Sequence, residues 1–326
     1  MNRIYLDHSA TTPTDPEIAS TMAIAMTETF GNPSSIYSFA REARKAVAEG
    51  REQLAKLINA EPEEIFFTSG GSESDNFALK GIAFANRKKG NHIITTAIEH
   101  HAILHTCEWL EKNGFTVTYL PVDENGLISL EDLKNAITDK TILISVMFAN
   151  NEVGTIQPIA EIGTIAKQHG VYFHTDAVQA VANVEIDVKK MNIDMLSLSG
   201  HKFYGPKGIG ALYIRRGVKI EPVQLGGGQE RRMRAGTENV PGIVGLGMAA
   251  AKAQRELSSH AAHLLKLRDK LIKGIEEKIP EVKLNGHPTK RLPGNVNFSF
   301  RYVEGESLLL NLDMKGIAAS SGSACT

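Results

Sequence analysis

Five short stretches of this chain hold side chains able to do chemistry. In SLSGHKFYGPKGIG, residues 197–210, Ser199, His201 and Lys202 fall within four positions, ahead of a glycine-rich turn. A lysine amine is a weak nucleophile at its free pKa near ~10.4, but a dry, cationic setting can lower that enough for Schiff-base chemistry with an aldehyde. Ser199 and His201 beside it offer hydrogen bonds to phosphate oxygens. On spacing alone, a surface lysine laying its stem along apolar groups reads at least as well. HTDAVQA, residues 174–180, ends an apolar run at Asp176, with Gln179 three residues on. A buried carboxylate there needs a partner such as a protonated heterocyclic nitrogen, whereas an exposed one would simply cap a helix.

FTSGGSES, residues 67–74, passes from a strand into a helix that starts near Ser72. Amides at a helix N-terminus bind phosphate, and Gly70 and Gly71 would let the anion approach closely. The alternative is a plain serine cap with Glu73 in the first turn. EHHAILH, residues 99–105, offers His100, His101 and His105. His101 and His105 have zinc-ligand spacing but no third ligand nearby, so His100 suits a cofactor pocket better and the other two read as ordinary histidines. SSGSACT, residues 320–326, places Cys325 among small, flexible residues. An exposed thiol with a pKa near ~8.5 is only a few per cent thiolate at neutral pH, yet is intrinsically reactive. Cys107, within AILHTCEWL, reads instead as inert core. One ligand would satisfy all five stretches: an aromatic aldehyde carrying a phosphate, a ring nitrogen and a phenolic oxygen.

The elements that must position these groups are legible between residues 60 and 215. EIFFTS, HIITTAI, FTVTYLP, TILISVMFAN, VYFHTDA, DMLSLSG and GALYIRR read as seven strands. Helical patterns such as Ser72 to Lys89 and His100 to Asn113 lie between the early ones. The alternation predicts an α/β layer with a largely parallel sheet, in which ligands gather beyond the carboxyl ends of the strands. Ser72, His100, Asn151, Asp176 and Lys202 all fall at such ends. From Val240 to about Ile279 the pattern is helical, and Leu264, Leu267, Leu271 and Ile275 predict one buried face. PGNVNFSF then reads as a strand and Glu304 to Met314 as a helix. This predicts a large domain over 14–255 and a smaller α+β domain from 1–13 and 256–326.

Bulk properties exclude several classes. The 36 basic and 37 acidic residues give no field for steering toward nucleic acid or an anionic membrane. The longest apolar stretch, VPGIVGLGMAAA, is too short and too broken to span a bilayer. Asp7 and His8 interrupt any signal-peptide core, which predicts a cytoplasmic location. Two cysteines cannot build a disulfide framework.

The whole chain resembles the NifS-type cysteine desulfurases, pyridoxal 5′-phosphate enzymes on the class V, fold-type I aminotransferase scaffold. YLDHSATTP, GNPSS, FTSGGSESDN, EHHAIL, FANNEVGTIQPI, HTDAVQ, SLSGHKFYGPKGIGALYIR, GGGQERRMRAGTENVPGIVG and SSGSAC carry the resemblance in order. It implies that Lys202 forms the Schiff base and that Asp176 pairs with the pyridine nitrogen. Gln179 would contact the phenolic oxygen, and His100 would stack on the ring and handle protons. Gly71, Ser72, Ser199 and His201 would hold the phosphate, joined by Thr237 from the other subunit of a homodimer. Asn151 would help seat L-cysteine, and Cys325 would take the sulfur as a persulfide, leaving alanine. Sulfur would pass to an iron–sulfur scaffold or a tRNA-thiolation protein. No resident metal is implied, with Cys325 at most a transient iron–sulfur ligand. In that family the chain runs on past the reactive cysteine and supplies an arginine for the substrate carboxylate. No arginine here matches it, so the polypeptide ending at Thr326 is expected to turn over cysteine poorly. Competing readings are a selenocysteine lyase or other β-eliminating enzyme on the same scaffold, a non-catalytic partner-binding platform, and a zinc hydrolase built on the His100 cluster.

Overall fold

The computed structural model describes residues 3–322. Among the described residues eleven strands and eight α-helices follow one another as β1 (Ile4–Tyr5), α1 (Pro16–Thr27), α2 (Ser38–Leu57), β2 (Ile65–Thr68), α3 (Gly71–Asn86), β3 (His92–Thr96), α4 (His101–Lys112), β4 (Thr116–Leu120), α5 (Leu130–Ala136), β5 (Thr141–Ser145), α6 (Ile159–His169), β6 (Tyr172–Asp176), β7 (Met195–Ser199), β8 (Gly210–Ile214), α7 (Val240–Lys278), β9 (Val282–Leu284), β10 (Phe298–Phe300), α8 (Gly305–Met314) and β11 (Ile317–Ala318).

β2 to β8 form one sheet in the order β2-β8-β7-β6-β5-β3-β4. Six of the seven strands run the same way, and β8 lies antiparallel to both neighbours. Every residue of β5 and of β7 is buried, because helices cover both faces of a parallel sheet and no face is left for polar alternation. The seven strands coincide with the seven apolar runs seen in the sequence. Chain order reverses between β3 and β5: the chain steps outward from β3 to β4, then returns to lay β5, β6 and β7 on the other side. A crevice opens beyond the carboxyl ends of the strands at such a reversal.

Helix α2 shows why these segments are helical and where they pack. Ala40, Ala43, Val47, Gly50 and Leu54 recur every three or four residues and are buried, which is the stripe an amphipathic helix turns to the core. Helix α7 starts at the cap of Asn239, whose side chain accepts from the Gly242 amide at 3.1 Å, with Pro241 in the first turn. Val240, Ile243, Leu246 and Ala249 bury its first turns. The distal half departs from the sequence expectation. Leu267 and Leu271 are 49% and 44% exposed, since they line an open groove of about 570 Å³ together with Leu257 and Leu292. The leucine periodicity reports an apolar face correctly, but within residues 3–322 that face is only partly covered.

Outside the large sheet, β1 pairs in parallel with β11, and β9 pairs antiparallel with β10. Residues near both ends of the chain are thereby joined, which brings segment 8–12 over the turn that carries Lys202. The Thr12 amide and hydroxyl both donate to the His201 carbonyl at 2.9 Å, and the Tyr204 amide donates to the Thr12 hydroxyl at 2.8 Å.

Candidate active site

A cavity of about 270 Å³ opens at the carboxyl ends of β3, β5, β6 and β7, and it gathers residues far apart in sequence. Gly71 and Ser72 come from the start of α3, His100 from the turn after β3, Asn151 from the turn after β5, Asp176 and Gln179 from the end of β6, and Ser199, His201 and Lys202 from the end of β7. Nine of the eleven residues singled out from the sequence therefore share one cavity. Thr237 is exposed in the loop before α7 and is not among the lining residues. Cys325 lies outside the described residues.

Two glycines permit this convergence. A Cβ on Gly210 in β8 would lie 2.5 Å from the Leu198 carbonyl and 2.7 Å from Gly70 Cα, so the β2–α3 turn can approach the sheet only over a bare backbone. A Cβ on Gly71 would meet a Val178 methyl at 2.7 Å. The turn is then locked. The Ser69 amide donates to Glu73 at 2.7 Å, and the Glu73 carboxylate pairs with Arg234 at 2.8 Å. The first-turn amides of Gly71, Ser72 and Glu73 are those an α-helix leaves without intrahelical acceptors. They face a recess also lined by Ser199, His201 and Lys207, which is a donor set suited to phosphate.

Asp176, which lines the cavity but not that recess, is 6% exposed and accepts from the Val178 amide at 2.9 Å. Burial raises its carboxyl above the usual range, against the pull of the Val178 amide, His100 and Lys202. His100 caps α4 through Nδ1, which accepts from the Ala102 amide at 3.1 Å. Burial lowers its imidazole below the ordinary value, with Asp176 opposing and Lys202 reinforcing the shift. His201 is lowered to about 4 by burial and by Lys202 and Lys207, so its ring is neutral at pH 7 and can offer one N–H to an anion. Lys202 is 9% exposed, and its Nζ donates to the carbonyls of Ser9 and Ala10, the latter at 2.9 Å. Gln179 donates to the same Ser9 carbonyl at 2.8 Å.

This arrangement fits pyridoxal 5′-phosphate. Amide and hydroxyl donors, a buried carboxylate and a nearly buried primary amine line the same cavity. His101 and His105 stand outside it, exposed and stacked with ring centroids 5.2 Å apart. Cys107 is fully buried, and burial pushes its thiol up to about 12.

Sequence reasoning missed three buried groups in and behind the cavity. Asp75 on α3, Glu99 before His100, and His174 on β6 are 1%, 5% and 0% exposed. His174 was reachable in principle, because it lies two residues before Asp176 on one strand and so points to the same face. Asp75 and Glu99 carry no local signal, since their burial is set by other strands.

The class-V aminotransferase family model matches residues 4–326. A cysteine desulfurase IscS of Clostridium botulinum (strain Hall) is 64% identical over 328 residues, spanning 100% of this chain and 83% of that protein. Among solved structures, a NifS-like protein superposes with a TM-score of 0.95 at 42% identity, covering 98% of this chain and 87% of the other. SspA in complex with cysteine superposes with a TM-score of 0.84 at 39% identity, covering 99% and 91%.

Proposed function

The chain belongs to the class-V aminotransferase family, and on that premise we propose that it is a pyridoxal 5′-phosphate-dependent cysteine desulfurase. It would remove sulfur from L-cysteine, leave alanine, and carry the sulfur as a persulfide on Cys325. The observation that carries the reading is Lys202: a lysine 9% exposed that opens onto the same cavity as Asp176, His100, Gln179 and the amide end of α3. Relatives named cysteine desulfurase, and a structural neighbour described in complex with cysteine, support the substrate.

Bound in this cavity, pyridoxal phosphate supplies an electron sink for bonds breaking at the substrate's α-carbon. The chain's own residues do the rest. Gly71, Ser72, Ser199 and His201 hold the phosphate through neutral donors and a helix N-terminus. Asp176 keeps a proton on the ring nitrogen, which the dry setting makes a tight pairing. Gln179 would offer its amide to the phenolic oxygen, and His100 would pack against the cofactor and serve as a proton carrier. Lys202, whose amine donates to the carbonyls of Ser9 and Ala10, would be the residue that anchors the cofactor and the base that accepts the α-carbon proton. Asn151 helps seat the amino acid. The Cys325 thiolate would attack the substrate sulfur, forming an S–S bond as the carbon–sulfur bond breaks, with that bond's electron pair leaving on the carbon fragment that is protonated to alanine.

Several finer points belong to the same reading. The exposed apolar residues Ile24, Met26, Phe30, Ile36 and Phe39 support a homodimer, with Thr237 reaching the partner's phosphate. The β1–β11 pairing supports a large unit over 14–255 and a smaller one from 1–13 and 256–326. Among the described residues no helix is long and apolar enough to cross a membrane, in keeping with a cytoplasmic enzyme. The acceptor would be an iron–sulfur scaffold or a tRNA-thiolation protein.

Borohydride reduction of the yellow holoprotein should place a pyridoxyl adduct on Lys202 by mass spectrometry, and Lys202→Ala should be colourless. Sulfide release from cysteine should vanish in Cys325→Ser. An adduct on another side chain, or none, overturns the reading.

A further inference from the structure

Beneath Asp176 the cavity floor holds a second carboxyl that the proposed reaction does not use. Oxygens of Asp75 and Asp176 and a ring nitrogen of His100 all lie within 4.8 Å of one another. Asp75 is 1% exposed, and its Oδ1 has no hydrogen-bond partner. The nearest base, His174 Nε2, is 3.8 Å away, beyond hydrogen-bond distance. His174 is itself committed to two hydroxyls, Ser145 through Nδ1 and Ser197 through Nε2, both at 2.9 Å. Burial lowers its imidazole to about 3, so it brings no positive charge to the floor.

The groups facing this floor come from four elements. α3 contributes Asp75, the turn after β3 contributes Glu99 and His100, β6 contributes His174 and Asp176, and the turn after β7 contributes Lys202. Two ionised carboxylates this close in a dry setting repel strongly, and the pair relaxes by keeping one proton. The proton belongs on Asp75. Asp176 has the Val178 amide, His100 and Lys202 to favour its charge, whereas Asp75 has only the Ser197 hydroxyl, and burial, then the charges of Asp176 and Glu99, push it well above the usual carboxylate range.

We propose that Asp75 is a positioning residue that keeps a permanent proton beside Asp176, so that the floor presents one negative charge, not two, to the cofactor's ring nitrogen. This rests on the pairing of Asp176 with that nitrogen. A single charge matches a single ring proton. The neutral carboxyl also keeps Asp176 beside a polar neighbour where an alkyl group would further desolvate it.

The test compares the wild-type protein with Asp75→Asn and Asp75→Leu, each with and without pyridoxal phosphate. Infrared difference spectra at pH 7 should show a protonated-carboxyl C=O band in the wild type that Asp75→Asn lacks, with Glu99→Gln made alongside to identify that residue's own band. Equilibrium dialysis should find cofactor binding weakened about tenfold in Asp75→Leu, the scale of one lost buried polar contact, with Asp75→Asn recovering most of it. An unchanged band in Asp75→Asn, or an Asn variant binding as weakly as Leu, overturns the proposal. Should Asp75→Leu fail to fold, the infrared band alone decides. Because that band is read in the apoprotein too, a missing adduct on Lys202 would sink the proposed function while leaving the proton on Asp75 separately answerable.

Discussion

Glu230→Ala strikes a support that lies outside the cavity and holds up one wall of it. Glu230 Oε1 accepts from Arg51 Nη2 at 2.6 Å, while Oε2 accepts from Arg51 Nη1 at 2.8 Å and from the Phe67 amide of β2 at 2.9 Å. The two side chains are 11% and 4% exposed, and the guanidinium lies 4.5 Å from the centre of the Phe67 ring. Glu230, Arg231 and Arg232 follow one another at φ of 42°, 56° and 69°. Each such residue costs about 1 kcal/mol or more in that conformation, so the carboxylate also pins a strained turn. Removing it strands a buried guanidinium and a strand amide together, a loss of about 3–5 kcal/mol. For a chain of this length that is a fall in melting temperature of about 4–7 °C. Glu230→Gln retains an acceptor for the Phe67 amide and should lose roughly half as much. Because β2 runs directly into Gly70 and Gly71, cofactor should also leave the Ala variant faster. Thermal scans with and without pyridoxal phosphate, together with the rate of cofactor loss, measure both effects. A Glu230→Ala protein melting within about 1 °C of wild type, or a Gln variant worse than Ala, would refute the reasoning.

Two further outcomes follow from buried titratable groups. Burial raises Glu99 from 4.5 to about 8, against the Met147 amide and Thr96 hydroxyl that favour its charge. A raised carboxyl stabilises the fold fully below its unfolded pKa and loses that contribution as pH climbs to the folded one. Glu99→Gln should therefore flatten the decline in urea midpoint between pH 4.5 and 8, by at most about 5 kcal/mol, and parallel declines in the two proteins would reject the assignment. Cys107, raised to about 12, should react with iodoacetamide at pH 8 about a thousandfold more slowly in the native protein than after denaturation. Native alkylation at the free-thiol rate would show that the site opens.

Legibility in the sequence followed the range over which each feature is decided. The seven strands are decided locally, since runs such as TILIS and MLSLS are short, rich in apolar residues, free of charge and bounded by turn residues. A fully buried parallel sheet demands that and little else. Asp176 and Lys202 were visible because one ends such a run and the other lies in the turn just after one, where the sheet rule places ligands. The distal half of α7 shows the limit of periodicity: Leu264, Leu267 and Leu271 mark an apolar face, but what covers a face is decided by other segments. Thr237 shows the same limit, since nothing in GTENV says which cavity an exposed loop serves.

Asp75 and Glu99 mark a deeper boundary. In SESDN and AIEHH both look like ordinary acids, Asp75 two positions after Glu73, yet Glu73 pairs with Arg234 near the surface while Asp75 is sealed beneath the strands. Two positions along α3 separate a partly exposed ion pair from a carboxyl that is 1% exposed, and only the positions of β5, β6 and β7 tell them apart. The charge of the cavity floor is thus a sum over residues 75, 99 and 176, which belong to three different elements. A motif can name the group that meets the cofactor nitrogen, but it cannot count the protons around it. That count decides whether Asp176 faces the ring as one anion or as part of two, and so it is settled by packing.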